Sequence, residues 1–200
     1  MEEEATEDIA KMAAMTPSDK PYLKTSVWDI YKHRIPWLML LMVSATFTGL
    51  IITKFEHALA AQVVLTAYIP MLMDTGGNSG SQSSVTIIRG LSLSEIHFKD
   101  IFAVLWKEIR VAVLCGLSLA VVNFAKLLLL DRVGAQVALV VSLTLVVTVA
   151  AAKFIGCTLP LLAKKIGFDP AVMASPLITT IVDALALLTY FGIASSLLHI

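Results

Sequence analysis

Asp183 stands among Ile181, Val182, Leu185 and Leu187, in one of the most apolar stretches of the chain. A carboxylate near the middle of a membrane costs roughly 3 kcal/mol even on the gentler insertion scales, so such a residue is a site candidate by default. At helical spacing Pro176, Thr179, Thr180, Asp183, Ala186 and Tyr190 share one side, and leucine and isoleucine populate the other. A carboxylate extended by two threonine hydroxyls offers oxygen ligands, which is the chemistry of a cation site. The competing reading is an ion pair between Asp183 and Lys153, the other charge set deep in apolar sequence.

A second polar set lies upstream. From Asp74 to Ser84, eight of eleven residues carry a polar side chain and the other three are glycine. On a helix Asp74, Asn78 and either Ser81 or Gln82 fall on one face. Pro70 frees a backbone carbonyl, and Gly76, Gly77 and Gly80 permit close helix approach. A small-residue packing seam accounts for the glycines alone. So many polar groups against lipid would be costly, so they should face protein or a water-filled cavity. The expectation is a backbone opened around the glycines, with Asn78 and Gln82 lining half of an aqueous path.

The elements that hold these residues follow from composition. Of 200 residues 58% are hydrophobic and 15% charged, whereas a soluble domain carries about 25% charge. Such a chain cannot cover its own surface, which excludes a soluble enzyme, a nucleic-acid binder and a disordered tail. Fifteen basic and fifteen acidic residues cancel, so net charge carries no argument. Cys115 and Cys157 sit in apolar stretches and read as small buried hydrophobes. Residues 1–36 are acidic to mixed and too acidic for a signal peptide. Five apolar stretches fill residues 37–200, at Trp37–Thr53, Ala58–Ile88, Ile109–Leu130, Gln136–Leu162 and Ala171–Leu198. With about 20 apolar residues needed per span, the fold class is all-α integral membrane with five transmembrane helices. Eleven basic residues gather on one face, against Lys54 and Arg132 on the other with Lys126 reaching towards it. Positive charge is retained inside, so the N-terminus is cytoplasmic and the C-terminus extracytoplasmic.

One deep carboxylate is thin for a divalent cation, and a two-fold homodimer doubles it without further sequence. Magnesium sheds water reluctantly and is often held through one or two carboxylates with waters kept. Metal–water distances of about 2.1 Å and water–carboxylate distances of about 2.7 Å let two carboxylates grip a hydrated ion across roughly 9 Å.

The run Pro70-Met-Leu-Met-Asp-Thr-Gly-Gly-Asn-Ser-Gly-Ser-Gln-Ser-Ser84, closed by Arg89-Gly-Leu, resembles a signature of the MgtE family of magnesium channels. Asp169-Pro-Ala-Val-Met-Ala-Ser-Pro-Leu-Ile-Thr-Thr-Ile-Val-Asp183 resembles that family's second signature, and the likeness covers essentially the whole chain in order. It implies a multi-pass protein of the plasma (inner) membrane and a homodimeric, Mg2+-selective pore on the two-fold axis. Asp183 of both protomers would hold the hydrated ion. Asp74, Gly76, Gly77, Asn78, Gln82, Ser175, Pro176, Thr179 and Thr180 would line the path. Mg2+ and other divalent cations are then the cargo, and the bilayer and a second copy are the partners. Ser175 departs from the family, which commonly has asparagine before this proline. Residues 4–14 resemble the end of a CBS module, and Pro21–Trp37 the linker helix that leads into the membrane. Asp29 and Asp169 would then be Mg2+ ligands at the cytosolic face. A natural short form and a piece of a longer chain fit this equally. Without acidic sensor domains, weak inhibition by cytosolic Mg2+ is expected.

Other classes fare worse. Asp74-Thr75-Gly76 spells the aspartic-protease nucleus, but that enzyme pairs its carboxylates on a soluble β-scaffold. His33, His57, His97 and His199 share no ligand spacing, and no Walker loop appears, so no enzyme is read here. A secondary transporter coupling Mg2+ to H+ or Na+ remains open, since a broken helix and a buried carboxylate suit it. A membrane interaction subunit with no transport of its own is the third reading.

Overall fold

The computed structural model describes residues 2–13, 15–17, 21–173 and 175–199, with the side chains of residues 2–6 and 175 left out. Among the described residues the chain is helical and has no strand. Its α-helices are α1 (Glu2–Met12), α2 (Val27–Lys54), α3 (Glu56–Ala61), α4 (Ile69–Ser92), α5 (Ile101–Leu129), α6 (Ala135–Lys165) and α7 (Ser175–Leu198). Four segments among the described residues are long and apolar enough to cross a membrane: Val27–Lys54, Phe98–Leu129, Ala135–Lys165 and Pro170–Leu198. The glycine- and serine-rich α4 is not one of them.

Several boundaries differ from the sequence expectation, each for a local reason. The stretch expected as a linker makes a 3-10 turn at Tyr22–Lys24 and then runs without a break into the span. Ser26 caps this helix, its Oγ accepting from the Asp29 N–H at 3.1 Å. The second apolar stretch is not one helix. It breaks at Gln62 (φ −137°, ψ 73°), makes a 3-10 turn over Val63–Tyr68 and restarts as α4. Pro70 therefore opens α4 instead of kinking it. In the first turn its missing N–H would have had no helical partner anyway. Tyr190 Oη donates to the Leu65 carbonyl at 2.9 Å, which ties the break to α7. That bond removes Tyr190 from the expected polar stripe: it is fully buried, in a core with Leu65, Leu72, Leu127, Val141 and Phe191. α5 begins at Ile101, two turns earlier than the apolar stretch suggests.

α6 is the central helix. It packs on α4, α5 and α7, whereas α2 leans chiefly on α7 and buries none of its own residues. Gly76, Gly77 and Gly80 of α4 cost about 1 kcal/mol each in helix propensity relative to alanine. Close packing offsets that cost. A Cβ on Gly156 of α6 would run into the Gly80 carbonyl, and one on Gly80 would meet Ile178 and the Ala152 carbonyl. The backbones of α4 and α6 are thus in contact, which only glycine allows on both sides. Gly156→Ala should lower stability by about 1–3 kcal/mol, the usual cost of overpacking. Gly192→Ala, with nothing within 4 Å of the new methyl, should be nearly neutral. Thermal unfolding in detergent reads both, and equal midpoints would show that the contact carries no weight.

Candidate functional site

α4 sorts its residues by face. Gly76, Gly77, Gly80, Ser83 and Ser84 are buried against α6 and α7, while Asp74, Asn78 and Gln82 stand exposed four residues apart. Asn78, Ser81, Gln82, Val85 and Thr86 line an open groove along this second face. The expected opening of the backbone is not formed, because α4 runs unbroken through all three glycines. Their absent side chains serve helix contact instead. A Cβ on Gly76 would strike Thr148 and Val182, and one on Gly77 would strike Thr179. Gly76 and Gly77 therefore lie behind the groove.

α7 borders the same seam. Thr179 faces Gly77, and Thr180 lines a shallow groove with Ser44, Phe47 and Thr48 of α2. Both hydroxyls donate to the Pro176 carbonyl at 3.0 Å, which turns their oxygens towards the start of the helix. Asp183 lies one turn on, half-buried. Among the described residues it accepts no hydrogen bond and forms no ion pair, and the charge whose field reaches it is Asp74. The pairing with Lys153 is not made: Lys153 Nζ donates to Ser83 Oγ at 3.4 Å instead. Two acidic groups thus flank the junction of α4 and α7, and no cation among the described residues pairs with Asp183. The side chain of Ser175 lies outside the described residues.

The outlying acidic candidates are placed differently. Asp29 sits in the first turn of α2. Asp169 precedes a 3-10 turn at Pro170–Met173 and is held by Lys11 of α1, whose Nζ donates to Oδ2 at 2.6 Å. The Ala171 N–H adds a bond to Oδ1 at 2.9 Å. Burial pushes the Asp169 carboxyl up, but these bonds outweigh it and hold the group below its usual range. Lys11 is raised by the same bond and by Glu7 at 2.6 Å. Among the described residues no three His, Cys, Asp or Glu side chains of one chain converge as a metal cage.

Glu108 carries no mark in the sequence, because Lys99, Lys107 and Arg110 around it read as a basic loop. The early start of α5 puts it two turns inside a helix, where it accepts from Ser83 Oγ at 2.6 Å. A charge shortly before a long apolar run was the signal available for it.

The fold is that of a multi-pass helical membrane protein with one polar-faced helix, α4, packed against α6 and α7. A family model described as MgtE, divalent cation transporter, matches residues 69–193. The chain is 37% identical, over its whole length, to the magnesium transporter MgtE of Thermus thermophilus, of which it covers 44%. It is 36% identical over 98% of its length to the Bacillus subtilis magnesium transporter MgtE, covering 43% of that protein. With the Enterococcus faecalis magnesium transporter MgtE the identity is 26% over 98% of the chain and 42% of the relative. The chain belongs to the MgtE family of divalent cation transporters and spans less than half the length of these relatives.

The Lys11–Asp169 clasp gives a testable pH dependence. Because the Asp169 carboxyl is lowered in the folded chain, its contribution is complete above the ordinary value of 3.8. That contribution is lost as pH falls through the lower folded value. Lys11→Met should release α1 at neutral pH, seen as faster amide exchange over residues 7–12. The unchanged chain should show the same release only in acid. Undiminished protection in the Lys11 variant would mean that another contact holds α1.

Proposed function

We propose that this chain moves Mg2+ across the cell membrane as the pore-forming part of a homodimeric channel, with α4 and α7 as the walls of the path. The observation that carries this reading is Asp183 on α7, without a partner among the described residues and beside the open Asp74–Asn78–Gln82 face of α4. A carboxylate left without a cation of its own in an apolar bundle is a place for a mobile one. The names of the relatives above supply the ion: each is a magnesium transporter.

In this reading α4 is the fifth crossing helix. Its 24 residues reach about 36 Å at about 1.5 Å per residue, enough for a hydrocarbon layer of about 30 Å. Its polar face is shielded from lipid by the partner protomer. The two copies of Asp183 face each other and hold Mg2+ through its waters, so the site draws its ligands from both protomers. The basic residues Arg89, Lys99, Lys107, Arg110, Lys164 and Lys165 set the cytoplasmic end. Asp29 and Asp169 are accessory acidic groups at that end, where Lys11 competes with a cation for Asp169.

The test is Mg2+ flux into liposomes that contain only the purified chain. Asp183→Asn keeps shape and removes charge, and is expected to reduce flux to the protein-free background while the dimer still forms. Full flux in that variant would remove the site. Flux should follow the Mg2+ gradient and voltage alone; flux that collapses without a pH gradient would replace the channel by an exchanger. Cysteines at Asn78 and Gln82 should react with water-soluble reagents, and one at the fully buried Leu65 should not.

A further inference from the structure

Three groups from three helices meet on the side of α4 turned away from the groove. Ser83 Oγ donates to Glu108 Oε2 of α5 at 2.6 Å, and Lys153 Nζ of α6 donates to Ser83 Oγ at 3.4 Å. Lys153 is only 5% exposed and Ser83 3%, so an ammonium is enclosed in the bundle. An ammonium only donates and an ionised carboxylate only accepts, so the hydroxyl between them has one orientation open to it. Its hydrogen points to Glu108 and its lone pair to Lys153. Among the described residues neither charged group makes another hydrogen bond or ion pair. The Cys157 thiol, one turn along α6, lies in the field of both charges, which places them in one neighbourhood.

A structural account would stop at helix pinning. It leaves open why a full charge is kept where a neutral side chain would pack with less desolvation. The position of the pair supplies a reason. Ser83 follows Gln82 directly, so Lys153 lies about one helix diameter, ~10 Å, behind the open face of α4. We infer that Glu108 is a charge-compensating positioning residue, holding Ser83 and neutralising Lys153 so that this ammonium does not repel a divalent cation on the front of α4. The inference rests on the reading of α4 as a wall of the ion path. A lone positive charge at ~10 Å from a divalent ion, at an effective dielectric constant near 20, disfavours the ion by on the order of a hundredfold. A compensated pair acts as a dipole, whose field falls off faster.

The experiment is a charge cycle in the full chain, read as Mg2+ uptake into liposomes per reconstituted dimer. Glu108→Gln keeps the length and an acceptor for Ser83 but leaves Lys153 uncompensated. Uptake should fall about tenfold or more. Lys153→Met leaves the carboxylate alone, an attraction for cations, and uptake should not fall. Glu108→Gln/Lys153→Met should return to within about threefold of the unchanged chain, because the cluster is again neutral. A purely structural role lowers both single variants and gives no recovery, and that outcome overturns the inference. If Glu108→Gln alone does not reconstitute, the other two variants remain decisive, since a tenfold loss in either also overturns it. A cysteine at Gln82 in the same preparations separates the failures. If it is unreactive to water-soluble reagents, the wall reading fails and takes this inference with it. If it reacts while the double variant stays low, the inference alone falls.

Discussion

Where Gly80 of α4 meets Gly156 of α6, two helix backbones touch with no side chain between them. In a bundle surrounded by lipid there is no hydrophobic force to draw helices together, so association rests on such contacts and on hydrogen bonds between helices. The contact also sets the rotation of α4. With its glycines and small serines turned to α6 and α7, the larger polar side chains at Asp74, Asn78 and Gln82 have only the opposite face to occupy. The seam with α7, the environment of Asp183 and the burial of Ser83 all follow from that one rotational setting.

Much of this arrangement is written in the helical period. Asp74, Asn78 and Gln82 recur every four residues, and so do Gly76, Gly80 and Ser84 on the other side. The first set is read easily because polar groups stand out in apolar sequence. The second was available by the same spacing, yet glycine carries no polarity to say which way it faces, so Gly76 and Gly77 were expected in the path. The break at Gln62 has no local mark, for Ala58–Ile69 contains neither glycine nor proline. It is held from outside, by the Tyr190 hydroxyl on the Leu65 carbonyl. The Lys11–Asp169 clasp joins residues far apart in the chain, and no period or propensity encodes such a pair.

The charges inside the bundle differ in their state of satisfaction. Lys153 and Glu108 share one hydroxyl and complete each other. Near the far end, Lys126 and Tyr68 both donate to Asp131, at 2.7 and 3.2 Å, and hold its carboxyl below the usual range, the lysine bond being the largest cause. Asp183 has no such company among the described residues. Among the described residues the bundle thus satisfies Lys153 and Glu108 within one chain and leaves Asp183 without a hydrogen bond or ion pair.

The order of Ser83, Glu108 and Lys153 along the chain has a consequence for biosynthesis. Membrane proteins are made from the N-terminus onwards, and segments made early are in place when later ones emerge. Ser83 on α4 and Glu108 on α5 both leave the ribosome before the helix that bears Lys153. When α6 enters the bilayer, Ser83, the acceptor for its ammonium, is already there on α4, and Glu108 already stands on α5, the neighbour that a short turn joins to α6. Reversing the order of these helices would deliver the lysine to lipid first, with no partner yet made to receive it.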